Sequence, residues 1–291
     1  MRFLIHNYST SVSSEPLYLF QALKHAGVDV QLWADPNMSA YDAFDRVQPD
    51  VFVSSYMYIN DQIVEYLLKS KKIKVMLNVT GATETQIQNI KSTFTGIELS
   101  VFTNSFSNVF VGAETMYPAF DIFNGPQPVL EIPDKLENAI LCEEISEKVE
   151  ELISQKDVYH ILYIGEGDKP AGFDLRVDIR SIKKILSLYK NVTLVGSNEL
   201  CSSQVFLDMS MYADNFSVIA EDQDLFYSKC LTTLFDNKNV DETKKLDEQI
   251  KTQIKSKHTP FHRAARLAKL AGDKESLSKI EKVKQQILSG V

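Results

Sequence analysis

Cysteine is scarce in this sequence, and its few copies are not spaced as metal ligands. The three cysteines, Cys142, Cys201 and Cys230, are odd in number and far apart, and none belongs to a Cys-x-x-Cys pair. A disulfide framework needs paired cysteines, and a structural zinc site needs clustered ones. We therefore expect neither, and we expect the reducing environment of the cytoplasm.

Long apolar runs are also missing, and so is an excess of positive charge. A membrane-spanning helix needs about 20 mainly apolar residues, and no run in the sequence approaches that length. The stretch Phe3–His6 is too brief for the apolar core of a signal peptide. The net charge of −8 argues against a broad nucleic-acid-binding face, although a local basic groove remains compatible with it. We expect no membrane span and no strong nucleic-acid-binding signature.

The first 125 residues alternate short apolar runs with amphipathic helical patterns. Strands are predicted at 2–6, 28–33, 50–54, 73–79, 99–103 and 109–112, with helices between most of them. Continuous apolar strands separated by helices are typical of a parallel sheet that is covered on both faces. The pattern predicts a Rossmann-like domain over residues 1–125.

A proline-rich stretch interrupts this alternation and divides the chain. Four of the nine prolines lie between Pro118 and Pro133, which is typical of a linker. A charged helix is predicted over 134–156, so that 126–157 forms a linker and helix. The strand and helix pattern then resumes over 158–240, with about three clear strands, and a Lys/Glu-rich helical tail is predicted over 241–291.

The stretch 203–219 carries the most informative pattern, which is a helix with one acid, a short turn and a strand. It resembles the donor-sugar segment of GT-B glycosyltransferases, whose consensus is roughly Phe-Leu-Glu-Ala-Met-Ala-x-Gly-x-Pro-Val-Ile. Asp208 takes the place of the family's ribose-binding Glu, whereas Asp214 replaces the family Gly and Leu200 replaces a second acid. The alternative interpretation is an ordinary helix, turn and strand of any α/β fold.

A second resemblance lies near the end of the chain. The segment His258-Thr-Pro-Phe-His262-Arg263 is similar to a His-Thr-x-x-His-Arg stretch of glycosyltransferases related to spore-maturation protein CgeB. Those proteins share the GT-B plan of two Rossmann-like domains, with the donor bound by the C-terminal one. The alternative is a helix start that Thr259 or a histidine caps locally.

A nucleotide-sugar donor carries a diphosphate, which needs helix N-termini or basic side chains. The glycine-rich segment 165–172 follows a predicted strand, where a turn can approach phosphates. Gly165 begins this turn, and the nearest cations are Lys169, Arg176 and Arg180, the last two on a predicted helix. Because Glu166 and Asp168 are acidic, a solvated turn is the alternative.

The next loop leads into the segment that resembles the donor site. In the resembling fold this loop, which contains Ser197, lies near the nucleobase. Ser203 and its neighbour Ser202 could cap the following helix and present its N–H groups to phosphate, although capping alone explains both serines. The resemblance implies that Asp208, expected to be exposed near the helix start, accepts two hydrogen bonds from the ribose diol.

The acceptor side is predicted at the carboxyl ends of the first-domain strands, where ligands of open α/β sheets bind. His6 is the candidate general base because the unperturbed pKa of histidine lies near neutrality. A buried structural histidine is the alternative. Asn7 and Ser9 follow it in a polar loop, and Thr80 follows the fourth strand.

Together these features predict two Rossmann-like α/β domains in a GT-B-like plan, with a helical tail. We expect a glycosyltransferase that uses a nucleotide sugar as substrate, no cofactor and no metal, with an unknown acceptor. Asp222-Gln-Asp224 has the letters of a DXD manganese motif but looks like a helix start. Two alternatives remain. One is a non-catalytic GT-B-like protein that binds a nucleotide sugar or a partner, and the other is a different two-domain binding protein or epimerase.

Overall fold

A computed structural model describes most of the chain as two compact α/β units. The described residues are 1–7, 15–103, 113–116, 119, 122–123, 135–155, 159–165, 167–178, 181–201, 203–226 and 248–289. The first unit comprises residues 1–9, 15–117 and 260–291, and the second comprises 10–14 and 118–259. The predicted fold class is confirmed, since each unit is built on a parallel sheet and the described end of the chain is helical.

The sheet of the first unit has six parallel strands in the order β2-β1-β3-β4-β5-β6. They are β1 (Phe3–His6), β2 (Val30–Trp33), β3 (Val51–Ser55), β4 (Lys74–Asn78), β5 (Leu99–Thr103) and β6 (Glu114–Thr115). The strand order changes direction between β1 and β3, which is the arrangement of flavodoxin-like sheets. The segment 109–112, predicted as a strand, lies outside the described residues.

Helices cover this sheet because the apolar side chains of its strands must be buried on both faces. They are α1 (Glu15–His25), α2 (Ala40–Val47), α3 (Asp61–Ser70) and α4 (Glu84–Thr93). Every residue of β3 is buried, and Phe52 packs with Phe44 of α2. Ser39, Asn60 and Thr83 cap α2, α3 and α4 by accepting a hydrogen bond from a backbone N–H of the first turn.

The sheet of the second unit has five parallel strands in the order β11-β10-β7-β8-β9. They are β7 (Leu136–Cys142), β8 (Tyr159–Tyr163), β9 (Leu175–Arg176), β10 (Tyr189–Gly196) and β11 (Asn215–Ala220). Numbered within the unit, the order is 5-4-1-2-3, which is the Rossmann order. The reversal point of this sheet lies between β7 and β10.

The prediction of one charged helix over 134–156 is wrong. Residues 136–142 form β7, the central strand of the second sheet, and a helix follows only at α5 (Glu147–Gln155). Ala139, Ile140, Leu141 and Cys142 are buried, so the strand is held by apolar contacts on both faces. The charged residues that follow β7 do belong to a helical pattern, but the prediction wrongly included the residues of β7 in the same helix.

The other helices of the second unit pack around this sheet. They are α6 (Ile182–Leu188), α7 (Asn198–Cys201), α8 (Gln204–Tyr212), α9 (Gln223–Leu225) and α10 (Glu248–Lys257). Lys148 of α5 donates to the carbonyl oxygens of Ala220 and Glu221 at the end of β11, at 2.8 and 3.2 Å. No helix of the described residues is both long and apolar enough to cross a membrane.

The last two helices belong to the first unit. They are α11 (Pro260–Ala271) and α12 (Lys274–Ser289). Helix α11 packs against α1, where the ring of Phe261 lies 5.9 Å from that of His25. Lys74 of β4 donates to the carbonyl oxygen of Ala271 at 2.9 Å, which fixes the end of α11 to the sheet.

Asp273 caps α12. Its carboxylate accepts from the backbone N–H of Ser276 at 3.0 Å and from the hydroxyl of Ser276 at 2.6 Å. Burial acts to raise the pKa of Asp273, whereas its hydrogen bonds with Ser276 and its ion pair with the amino group of Met1 act to lower it. The lowering is the larger effect, so the pKa lies below the ordinary value of 3.8.

We expect Asp273→Ala to lower the free energy of unfolding by about 1–2 kcal/mol, because the first turn of α12 loses its cap. The ionised Asp273 contributes stability above pH 3.8, its ordinary pKa, and this contribution is lost as the pH falls through the lower folded-state pKa. Urea denaturation at pH 7 and pH 3 measures both effects. Asp273→Ser retains an oxygen acceptor without a charge and is the matched control; equal loss in both variants would contradict a capping role.

Candidate functional site

Polar side chains line the carboxyl edge of the first sheet. The strands β1, β3, β4 and β5 end at His6, Ser55, Asn78 and Thr103. In a parallel sheet these ends share one edge, and ligands of open α/β sheets bind outside it near the reversal point. Here the reversal point lies between β1 and β3, so His6 stands beside it.

His6 is held between a hydroxyl and an aromatic ring. Its Nδ1 lies 2.9 Å from the Oγ of Ser54, and its ring stacks on that of Trp33 with 4.4 Å between centroids. Burial lowers the pKa of His6 from 6.5 to about 4. The imidazole is therefore neutral at pH 7 and able to accept a proton. It is a weaker base than a histidine with the near-neutral pKa expected from the sequence.

A second hydrogen-bonded group lies at the ends of β4 and β5. Asn78 accepts from the backbone N–H and the hydroxyl of Thr80, at 2.9 and 2.6 Å, and donates to the carboxylate of Glu15 at 3.2 Å. The hydroxyls of Thr80 and Thr103 are 3.4 Å apart. The structure thus links Thr80, predicted on the acceptor side, to a carboxylate at the start of α1.

Asn7 extends the polar edge beyond His6. Its backbone N–H donates to the carbonyl oxygen of Trp33 at 2.8 Å. Its side-chain Oδ1 is buried and has no hydrogen-bond partner among the described residues. A buried amide oxygen without a donor is costly, so it is a natural acceptor for a ligand hydroxyl. Ser9, predicted beside it, lies outside the described residues.

In the second unit, the loops after β7 and β10 flank the reversal point. The loop after β7 contains the exposed residues Glu143 and Glu144, whose charge opposes a diphosphate. Burial raises the pKa of the Cys142 thiol at the end of β7 to about 12, with smaller contributions from these two glutamates, so the thiol is not a nucleophile at neutral pH. The loop after β10 contains Ser197, whose hydroxyl accepts from the backbone N–H of Leu200 at 3.2 Å.

The predicted phosphate loop follows β8, the neighbour of β7 on the side away from the reversal point. Gly165 is buried, and an added Cβ would overlap the phenol ring of Tyr163, so close packing favours glycine here. Lys169 is exposed and donates to the carbonyl oxygen of Phe173. Arg176 is exposed on the edge strand β9, so its predicted helical setting is wrong. Arg180 lies outside the described residues.

Helix α8 carries the residues that resemble the ribose site. Ser203 caps it by accepting from the N–H of Val205 at 3.2 Å, while its hydroxyl donates to the carbonyl oxygen of Leu200 at 2.7 Å. Asp208 is 0% exposed, and its carboxylate accepts from the side-chain amide of Gln204 at 3.2 Å. The expectation of an exposed carboxylate at the helix start is wrong, because the apolar α8 buries this face within the unit.

Trp33 and Glu15 also lie at this edge, although neither was predicted from the sequence as a site residue. Trp33 is the last residue of β2, and Glu15 is in the first turn of α1, the helix that follows β1. That position was the available signal. Within the described residues, no three His, Cys, Asp or Glu side chains cluster as metal ligands.

No protein-family model and no curated protein matches the chain. Several solved structures are similar to it. An alpha-glucosyltransferase (AGT) in complex with UDP is 10% identical, with 99% of this chain and 100% of that chain covered and a TM-score of 0.48. The glycosyltransferase SnogD from Streptomyces nogalater is 14% identical, with coverage of 97% and 98% and a TM-score of 0.43. A Listeria monocytogenes protein assigned as a UDP-N-acetylglucosamine 2-epimerase is 9% identical, with coverage of 96% and 90% and a TM-score of 0.40.

Identities at this level establish no correspondence between individual residues. The roles considered for His6, Asn7 and Thr80 therefore rest on their own contacts at the carboxyl edge of the first sheet. That edge offers a neutral imidazole, hydroxyl groups, a carboxylate and an amide oxygen. Such a set can bind a polyhydroxylated molecule and remove a proton from it.

Proposed function

We propose that the chain is a glycosyltransferase that moves a sugar from a nucleotide-sugar donor to an acceptor hydroxyl without a metal ion. The observation that carries this proposal is the Rossmann strand order of the second sheet. Sheets of this order commonly bind nucleotides at their reversal point. In this proposal the second unit binds the donor and the polar edge of the first unit binds the acceptor.

The reaction would be a displacement at the anomeric carbon of the donor sugar. The acceptor oxygen forms a bond to that carbon, the bond from the carbon to the diphosphate oxygen breaks, and the nucleoside diphosphate leaves. His6 would take the acceptor proton, since its imidazole is neutral at pH 7. Asn7 Oδ1 and Thr80 would hold hydroxyls of the acceptor at the same sheet edge as His6.

Donor recognition needs groups that face the nucleotide diphosphate. Lys169 is the exposed cation of the glycine-rich loop, and release of its bond with the carbonyl oxygen of Phe173 would let it reach a phosphate. Ser197 stands at the reversal point, and Arg176 stands on the outer strand. The buried Asp208 would act through Gln204 and the packing of α8, because its carboxylate has no exposed surface.

Binding of nucleotides tests the donor side. We expect a nucleoside diphosphate to bind more tightly than its nucleoside, with an affinity that falls as salt rises, because the cation contact is electrostatic. Lys169→Gln should weaken nucleoside diphosphate binding by about 10- to 100-fold, the loss of one charge-assisted hydrogen bond. Calorimetry with uridine, guanosine and cytidine diphosphates measures these effects.

Lys184→Gln is the matched control, since Lys184 is an exposed lysine of α6 outside the loop. Equal binding of nucleoside and nucleoside diphosphate would remove the loop 165–172 from the site. Absence of binding by all three nucleotides would overturn the proposed function. Transfer assays with a chelator present then test metal independence, and a strict requirement for added divalent metal would contradict it.

A further inference from the structure

Apolar side chains are exposed at the carboxyl edge of the first sheet, directly after β3. Residues Tyr56–Tyr58 form one turn of 3₁₀ helix there, and none of the three is buried. Met57 is 61% exposed, the largest value for a large apolar side chain in the described residues, and Tyr58 is 40% exposed. Because ligands of open α/β sheets bind outside this edge, the two side chains form an apolar surface that a ligand can cover.

The exposed ring of Tyr58 belongs to the aromatic cluster around His6. Its centroid lies 6.2 Å from that of the imidazole, in an edge-to-face arrangement, and the rings of Trp33 and Phe52 lie 4.4 and 6.4 Å from the imidazole. Trp33 and Phe52 are buried, so Tyr58 extends this cluster to the solvent. Aromatic pairs prefer stacked or edge-to-face contacts at such distances. An aromatic ligand that packs on Tyr58 would therefore lie near the imidazole of His6.

The polar groups of this edge favour an uncharged ligand that carries hydroxyl groups. The buried Oδ1 of Asn7, which has no hydrogen-bond partner among the described residues, can accept from a hydroxyl but not from a carboxylate. The described residues directly after β1, β2, β3 and β4 (7, 34–35, 56–58 and 79–81) include no Lys or Arg, and Asp35 is the charged residue among them. Glu15, bound to Asn78, adds a second carboxylate at this edge. An anionic ligand would be repelled by both carboxylates.

The weak basicity of His6 favours an acidic hydroxyl. Burial lowers the pKa of His6 to about 4. Proton transfer to a base becomes easier as the pKa of the proton donor falls toward that of the base. A phenol has a pKa of about 10, as in tyrosine, and is a stronger acid than an aliphatic alcohol. A hydroxyl on an aromatic ring therefore suits His6 better than a hydroxyl of a sugar.

We propose that the acceptor is an uncharged aromatic molecule with hydroxyl groups on its ring, and that its ring packs on Met57 and Tyr58. Its role as acceptor rests on the proposed function, whereas its binding at this edge does not. One ring hydroxyl would donate to His6, and Asn7 would accept from another. In the transfer, the oxygen of the first hydroxyl forms the bond to the anomeric carbon, its proton goes to His6, and the nucleoside diphosphate leaves.

An NMR titration of the ¹⁵N-labelled full chain with 2,7-dihydroxynaphthalene, without nucleotide, tests binding at this edge. The chain contains one tryptophan, Trp33, so a single indole N–H signal reports on the rings around His6. We expect a saturable shift of this signal with a Kd below about 1 mM. The analogue 2,7-dimethoxynaphthalene lacks hydroxyl donors and 6-hydroxy-2-naphthoate carries a negative charge, so each should bind several-fold more weakly. Methyl glucoside, which represents a sugar acceptor, should bind more weakly still.

Absence of a shift at about 2 mM 2,7-dihydroxynaphthalene would overturn the proposal, as would equal or tighter binding of methyl glucoside or of the dimethoxy analogue. If nucleoside diphosphates bind but the naphthalene diol does not, the aromatic acceptor is rejected and the proposed function stands. If the diol binds but no nucleotide does, the proposed function is rejected, and with it the role of the aromatic molecule as acceptor.

Met57→Ser and Tyr58→Ser should each weaken binding of the diol by about 5- to 20-fold, because its ring loses an apolar contact. Tyr58→Phe keeps the ring and should retain most of the affinity. Leu175→Ser is the matched control, since it removes a side chain that is 47% exposed on β9 of the second unit, and it should leave the affinity unchanged. Equal affinities in the three serine variants would contradict binding on Met57 and Tyr58. Thermal melting establishes that each variant is folded.

Discussion

His6→Asn should slow sugar transfer by about 10²- to 10⁴-fold while donor affinity stays nearly unchanged, because general-base assistance is typically of that size. The substitution is informative because of the geometry at Nδ1. That nitrogen lies 2.9 Å from the Oγ of Ser54, and an asparagine amide can keep a hydrogen bond at a similar position. The ring atom that is lost is Nε2, the nitrogen that would take the acceptor proton while Nδ1 donates to Ser54. Steady-state rates and nucleotide titrations measure the two quantities separately.

Two further variants separate a base from a structural histidine. His25→Asn makes the same change at an exposed histidine of α1 that contacts Phe261 of α11, and it should leave the rate of transfer unchanged. Ser54→Ala removes the partner of Nδ1, so it should lower the rate by misorienting the ring while leaving Nε2 present. A His6→Asn protein that is destabilised yet transfers sugar at the native rate would end the assignment of His6 as base.

The pH dependence of stability gives an independent check on His6. Its folded-state pKa is about 4, whereas the unfolded value is 6.5, so between these two pH values the unfolded chain binds the proton and the folded chain does not. Stability is thus unaffected by His6 above pH 6.5 and decreases as the pH falls toward 4, by up to about 3 kcal/mol. The difference between native and His6→Asn unfolding curves isolates this contribution. A constant difference from pH 7 to 4 would show that His6 is not buried as described.

The second large effect is expected at Asp208. Asp208→Ala should lower the free energy of unfolding by about 2–4 kcal/mol, because the amide of Gln204 loses a buried acceptor and a small void forms beside α8. The carboxylate is 0% exposed and accepts from Gln204 at 3.2 Å. Chemical denaturation followed by circular dichroism measures the change, and nucleotide titration on the folded variant measures any loss of affinity.

Asp214→Ala is the matched control for Asp208. Asp214 forms an exposed ion pair with Lys135 at 2.5 Å, and such pairs contribute at most about 1 kcal/mol. Asp208→Asn keeps the shape and an oxygen acceptor, so it should recover most of the stability. If Asp208→Ala were no less stable than Asp214→Ala but lost nucleotide binding, the ribose-binding role implied by the GT-B resemblance would be supported against the burial argument.

The first sheet could be predicted from the sequence because its strands are short apolar runs bounded by helix caps and turns. The predicted strand at 73–79 is found at Lys74–Asn78, and the predicted strand at 99–103 is found unchanged. Strand β7 could not be predicted from the sequence, because only its last four residues are buried and charged residues follow it directly. The two-residue strands β6 and β9 are set by pairing with a neighbour, which no local pattern records.

The candidate site was predictable in position but less so in chemistry. Strand-end residues such as His6 and Thr80 could be named because the carboxyl edge of a parallel sheet is fixed by topology. The low pKa of His6 depends on burial, and one of the rings that pack on it belongs to Trp33, which is distant in sequence. The burial of Asp208 likewise depends on packing around α8. The local sequence shows which side chain stands at a given strand or helix end, whereas the solvent exposure of that side chain depends on the packing of the whole unit.

The return of α11 and α12 to the first unit has a consequence for biosynthesis. Residues 1–117 leave the ribosome early, yet the face of α1 that packs on α11 stays uncovered until residues 260–271 have been made. The second unit is encoded between these two parts, so its residues are complete first. The earliest sheet to be translated is therefore the last to be fully enclosed, and its nascent form exposes apolar surface of the kind that chaperones bind.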